Sequence, residues 1–158
     1  MNTTITDKTI YLSKKGIKEL KKSIIQLEHD RQETLKAIRE LDKTNGRDER
    51  LERIDELTNL ESIESEISEK KMILLNAKLI PSKRTRLQVA IGSVVELIDN
   101  RGRKLKFTIV DSIEADPSNG KISTLSPIGQ SLIGKTVKDI VKWQKGTKTT
   151  CFKLVRIL

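Results

Sequence analysis

The feature that most limits what this chain can fold into is a pair of apolar stripes at helical spacing, separated by a turn. Ile17, Ile24, Arg31 and Ile38 fall on one position of a heptad, and Leu20, Leu27, Thr34 and Leu41 on the other. Four such heptads draw one seam along a helix, interrupted by polar residues at Arg31 and Thr34. Ser13 stands just ahead of the pattern, where its hydroxyl can accept an orphan backbone N–H. The seam stops at Asp42-Lys43-Thr44-Asn45-Gly46, whose Asn-Gly pair is a strong turn signal. A second series runs through Leu51, Ile54, Leu57, Leu60, Ile63, Ile67, Leu74 and Ala77 and ends between Asn76 and Pro81. Matched arms around a short turn predict an antiparallel helical hairpin closed on itself, in preference to a dimerising coiled coil. Arms of about 30 residues are each roughly 45 Å long.

Beyond the basic linker Pro81-Ser82-Lys83-Arg84-Thr85-Arg86 the period shortens to that of strands. Val94 to Ile98 is rich in β-branched residues and runs into the turn Asn100-Arg101-Gly102. Leu105, Phe107 and Ile109 then alternate with Lys104, Lys106 and Thr108. A turn at Asp116 to Gly120 precedes a short strand from Lys121 to Leu125. Ser126-Pro127 reads as N-cap and first residue of a short helix closed by Gly134, with Ile128, Leu132 and Ile133 offering an apolar patch. Val137 to Trp143 and Thr149 to Ile157 predict two more strands around Lys145-Gly146. The fold class is therefore α+β: a coiled-coil hairpin over residues 1–80, then a small, largely antiparallel sheet domain over residues 81–158.

Charge divides along the same line. Residues 1–80 hold 16 Lys/Arg and 16 Asp/Glu, whereas residues 81–158 hold 15 against 6 and supply the whole net charge of +9. A balanced hairpin suits helices that mostly face water; a basic domain suits an acidic protein surface or nucleic acid. One cysteine, Cys151, excludes a disulfide framework and a cysteine-based zinc site. No apolar run approaches the roughly 20 residues that span a bilayer. The opening Met-Asn-Thr-Thr-Ile-Thr-Asp-Lys lacks the apolar stretch of a signal peptide, so a cytoplasmic protein is expected. His29 reads as a surface residue, Cys151 as a packing residue and Trp143 as core or rim of the sheet.

Three segments resemble one family. Ser126-Pro127-Ile128-Gly129-Gln130-Ser131-Leu132-Ile133-Gly134-Lys135 is similar to the Ser-Pro-(Ile/Leu)…Leu-(Ile/Leu)-Gly-Lys segment of the bacterial transcription elongation factors of the GreA/GreB family. Tyr11-Leu12-Ser13-Lys14-Lys15-Gly16 with Leu20 resembles that family's opening, and Asn76-Ala77-Lys78-Leu79-Ile80 the end of its second helix. The resemblance implies an FKBP-like C-terminal domain that docks on RNA polymerase through Ser126, Pro127, Ile128 and Gly129. It also implies a hairpin inserted into the polymerase secondary channel, and a monomer with no membrane partner. At the hairpin tip, family carboxylates help the polymerase hold Mg²⁺ while its own active site cleaves backtracked RNA. The chain would then meet the nascent RNA 3′ end only through the polymerase, bind no cofactor alone and not be an enzyme.

The tip departs from that pattern. Where the family reads Gly-Asp-Leu-(Ser/Lys)-Glu-Asn-Ala-Glu-Tyr, an ungapped count gives Asn45-Gly46-Arg47-Asp48-Glu49-Arg50-Leu51-Glu52-Arg53. The key Asp falls on Gly46, the Glu on Glu49 and the Tyr on Arg53. Asp48, by proximity, and Glu49, by position, are the candidates for sharing Mg²⁺ with the polymerase, since that ion takes oxygen ligands. Arg47, Arg50 and Arg53 put cations where the family is acidic. Two outcomes follow from the resemblance: stimulated cleavage of backtracked transcripts, or a non-cleaving relative that occupies the channel and modulates or inhibits transcription. Two other classes stand apart from it. A peptidyl-prolyl isomerase or chaperone would need an aromatic-lined pocket, for which Phe107, Trp143 and Phe152 are few. A direct nucleic-acid binder would draw on the charge of residues 81–158, without interleaved aromatics for base stacking.

Overall fold

The first heptad becomes α1 (Lys14–Leu41) and the second series becomes α2 (Arg47–Asn76), in a computed structural model that describes residues 9–81 and 86–158. The opening octapeptide and most of the basic linker, Ser82–Thr85, lie outside the described residues. A short strand precedes the hairpin, β1 (Ile10–Leu12), and another follows it, β2 (Ala77–Leu79). These two pair as a separate two-stranded sheet, extended by the Ile80 N–H donating to the Leu12 carbonyl at 3.0 Å. The Glu114 carboxylate accepts both the backbone N–H of Ser13, at 2.8 Å, and its hydroxyl. The chain accordingly divides into two units, one Lys15–Ala77 and the other the described parts of Met1–Lys14 and Lys78–Leu158. The boundary expected at residue 80 is thus corrected at both ends, because strand pairing draws each foot of the hairpin into the sheet unit.

Within the hairpin, every predicted seam position of α1 is buried or half-buried, and Ile24, Thr34 and Ile38 are the most enclosed. Cross-helix ion pairs fix the antiparallel sense. Glu28 meets Lys71 at 2.7 Å, Arg31 meets Glu64 at 3.9 Å and Asp42 meets Arg53, so partners on α2 descend as those on α1 rise. The second arm differs from expectation near the turn. Leu51 and Ile54 are each 58% exposed, and Leu57 is exposed as well. The residues turned inward are instead Glu49, Arg53, Glu56, Leu60, Ile63, Ile67, Lys70, Leu74 and Ala77. That series alternates steps of four and three, which keeps one face of a helix toward its partner. Steps of three from Leu51 to Leu60 drift around the helix, which is why the aliphatic residues nearest the turn fall off the seam.

The second unit holds a five-stranded sheet ordered β5-β4-β3-β7-β6. Its strands are β3 (Val94–Asp99), β4 (Lys104–Val110), β5 (Lys121–Ser123), β6 (Ile140–Lys145) and β7 (Lys148–Ile157). All neighbours are antiparallel except β4 and β5, joined through two 3₁₀ turns, Ser112–Glu114 and Pro117–Asn119. Gly120 follows the second with φ 73°, a conformation that glycine adopts without strain. Alternation sends Val95, Leu97, Ile109, Val141, Phe152 and Leu154 to one face, where α3 (Pro127–Leu132) adds Ile128 and Leu132. Trp143 is half-buried at the margin of this core, its ring 6.1 Å from that of Phe152. Cys151, expected to pack, is exposed, because it lies one residue from Phe152 and so points to the opposite face. Among the described residues no helix is long and apolar enough to cross a membrane.

The two polar interruptions of the α1 seam are weak points of the hairpin. Thr34 is buried, and the buried Nε of Arg31 has no hydrogen-bond partner. Replacing Arg31 by Ile and Thr34 by Leu should raise stability by about 1–3 kcal/mol, as apolar area replaces polar groups at about 25 cal/mol per Å². Urea denaturation of the full chain measures this, and a lower midpoint contradicts the seam assignment.

The β3–β4 turn carries a pH signature. The buried Asp99 carboxylate accepts the N–H groups of Arg101 and Arg103 at 2.9 Å and the Arg103 Nε–H at 2.7 Å. These bonds, the Arg103 backbone N–H foremost, hold its pKa below the ordinary value although burial opposes them. A carboxylate depressed in the folded state adds stability above its unfolded pKa, near 3.9, and loses it as pH falls through the folded value. Asp99→Asn should therefore lower the melting temperature at pH 7, with the gap from wild type closing as the pH drops below about 4.

Candidate functional site

At the hairpin tip, α1 ends in a short turn in which the Asp42 N–H still reaches the Ile38 carbonyl at 3.0 Å. Gly46 is the N-cap of α2 and brings no side chain to satisfy the free N–H groups. Glu49, three residues on, folds back over it. A Cβ placed on Gly46 would stand 1.6 Å from Glu49 Oε2, so the glutamate fills the room that any larger residue would take. Asp48 is exposed, while Glu49 is half-buried on the seam. Consecutive residues of a helix do not face one another, so the two carboxylates point apart. Arg53 is paired to Asp42 across the turn, and the Arg50 guanidinium donates to the Asn45 carbonyl at 3.3 Å. Among the described residues no three His, Cys, Asp or Glu side chains come together as a metal site. Asp48 and Glu49 alone are too few to hold a divalent ion, so further oxygen ligands would have to come from another molecule.

The Ser126–Gly129 segment is built around a cap. The Ser126 hydroxyl accepts the Gly129 N–H at 3.1 Å and donates to the Ser123 carbonyl at 2.7 Å, tying α3 to the end of β5. Pro127 takes the first helical position, where its missing N–H costs nothing. Ile128 is buried in the core, and Gly129 is buried against β5, where an added Cβ would lie 1.9 Å from the Ser123 carbonyl oxygen. Of the four residues expected to meet a partner, these two shape the segment from inside. The surface it presents consists of Pro127 and its exposed neighbours Leu125, Gln130 and Ile133. Sequence reasoning missed Leu125 and Gln130, although the helical period from the Ser126 cap places residue 130 opposite the core-facing Ile128 and Leu132.

Comparison with known proteins bears on both regions. A family model described as "Transcription elongation factor, GreA/GreB, C-term" matches residues 84–158. Transcription elongation factor GreA of Thermoanaerobacter pseudethanolicus is 37% identical over 137 residues, covering 85% of this chain and 87% of that protein. The chain belongs to the GreA/GreB family. GreA of Chloroherpeton thalassium is 36% identical over 141 residues, with 87% of this chain and 89% of that protein covered. The crystal structure of GreA factor homolog 1 of Thermus thermophilus aligns with 96% of this chain and 99% of its own, at 25% identity and a TM-score of 0.44. Membership makes this chain a transcription elongation factor of the GreA/GreB type.

The cap and the glycine separate energetically. Ser126→Ala should cost about 1 kcal/mol, the usual worth of an N-cap. Gly129→Ala should cost more, about 1–3 kcal/mol, because its methyl group meets backbone and not the yielding end of a side chain. Denaturant midpoints of the two variants give the order, and Gly129→Ala matching wild type contradicts the close approach to Ser123.

Proposed function

We propose that this protein is a cytoplasmic accessory factor that binds RNA polymerase, with its hairpin in the secondary channel, and stimulates transcript cleavage weakly or not at all. The α3 surface around Pro127 serves as the docking contact, and any RNA hydrolysis belongs to the polymerase. The observation that carries the reading is the tip. By an ungapped count the family's metal-holding aspartate falls on Gly46, and Glu49 lies folded over that glycine. Electrostatics points the same way. A unit charge about 4 Å from another, at an effective dielectric near 20, is worth roughly 4 kcal/mol, and against a divalent ion about twice that. Arg47 and Arg50 flank the tip carboxylates and are exposed, so water screens the repulsion. A residue of only about 1.4 kcal/mol still means tenfold weaker metal affinity. A factor with this tip acts by occupying the channel and competing with its other users, so it modulates elongation without itself supplying a metal ligand pair.

The test is a cleavage assay on a backtracked elongation complex with purified polymerase. Wild type should bind the polymerase yet leave the RNA 3′ end largely intact, with residual cleavage dependent on Asp48 and Glu49. Gly46→Asp should raise cleavage at least tenfold, since the backbone at 46 has φ −68° and the three atoms nearest to a Cβ there belong to the movable end of Glu49. Robust wild-type cleavage that survives Asp48→Ala combined with Glu49→Ala would sink the proposal.

A further inference from the structure

The five-stranded sheet has a second face, opposite the one that packs against α3. Strand register arranges its residues in rows. Lys106, Glu96 and Arg156 lie side by side across β4, β3 and β7. In the next row Lys104, Ile98, Lys153 and Ile140 run across β4, β3, β7 and β6. Lys142 follows two residues beyond Ile140 on the same face, beside Cys151. All five cations are exposed, and among the described residues none forms an ion pair within 4.0 Å. Glu96 is the one carboxylate in these rows. Strands about 4.8 Å apart put cations about 10 Å apart across β3, and two residues along β4 put Lys104 about 7 Å from Lys106.

We infer that this outer sheet face binds the sugar-phosphate backbone of duplex DNA, without regard to base sequence. Charge complementarity favours that occupant over an acidic protein. Lysine is depleted from protein–protein interface cores, where Trp, Tyr and Arg supply the anchors. Here the cations are four lysines and one arginine, and the shallow hollow that Ile98 and Ile140 line together with Cys151 and Lys153 carries no exposed Trp or Tyr to serve as an anchor. Exposed lysines with no fixed partner suit phosphates, which are met by neutralisation and counterion release. A single strand is disfavoured, because the face carries no aromatic side chain for bases to stack on; Trp143 and Phe152 belong to the inner face. The inference does not depend on the polymerase reading. Since α3 covers the inner face, docking through Pro127 and contact with DNA use different sides of one sheet.

Fluorescence anisotropy of the full-length protein with a short labelled DNA duplex tests this. Five cations less the one that Glu96 offsets give four phosphate contacts and a log–log salt slope of about −3.6, which is about 150-fold weaker binding at 200 mM than at 50 mM salt. Lys106→Gln combined with Lys153→Gln should bring the slope to about −1.8, with circular dichroism confirming the fold. Lys18→Gln combined with Lys22→Gln removes the same charge from α1 and should leave the slope unchanged. The inference is overturned if the sheet variant keeps the wild-type slope, or if the α1 variant loses as much. It is overturned equally if a poly-glutamate chain competes as well as duplex DNA, or if no duplex binding occurs at low salt.

Discussion

The pairing of Ile10–Leu12 with Ala77–Leu79 is the constraint on which the arrangement of this chain depends. Two strands of three residues each hold together the ends of a long helical excursion, and Glu114 fastens Ser13 beside them. Bringing the ends of a loop of this length together costs entropy that grows only slowly with its size. A few ladder hydrogen bonds and one carboxylate clamp therefore suffice where the helices already pack on each other. The same pairing hands the residues flanking the hairpin to the sheet unit. A fragment cut at residue 81 would leave the sheet unit without Leu12, one of the most buried side chains in the protein.

Much of this could be read from the residues because two periods dominate and rarely compete. A step of seven drew α1 to its true ends, and alternation of aliphatic and lysine residues found β4 and its two faces. Capping chemistry located α3 from Ser126-Pro127 alone, since a hydroxyl ahead of a proline has few other stable uses. The second arm shows the limit. Leu51, Ile54 and Leu57 are as aliphatic as any core stripe, yet the seam passes through Glu49, Arg53 and Glu56. Hydrophobicity alone misplaces it, because inward position near the turn is set by the phase inherited from Leu60, Ile67 and Leu74 and by the Asp42–Arg53 pair.

The candidate sites divide in the same manner. A cap is local, so the environment of Ser126 was legible; the enclosure of Gly129 depends on where the end of β5 lies, which no nearby residue reveals. At the tip, the count of carboxylates was visible, but their direction was not. Neighbours in sequence on a helix diverge by about 100°, so Asp48 and Glu49 leave the first turn of α2 in different directions. The grouping of cations on the outer sheet face needed the register of four strands, although the excess of lysine over acid in residues 81–158 announced that such a surface had to exist.

The charged inward residues of the second arm have a consequence for motion. From Leu60 to Ala77 the seam of α2 is mainly aliphatic, whereas from Glu49 to Glu56 it is ionic and half-open to water. Opening free energies within one protein follow buried apolar contact, so they should decline along the hairpin from its feet to its turn. Backbone amides near Gly46 would then exchange with solvent through local fraying, while those beside Ile24 and Ile67 wait for wider unfolding. A hairpin built this way is stiff at its feet and yielding at its turn.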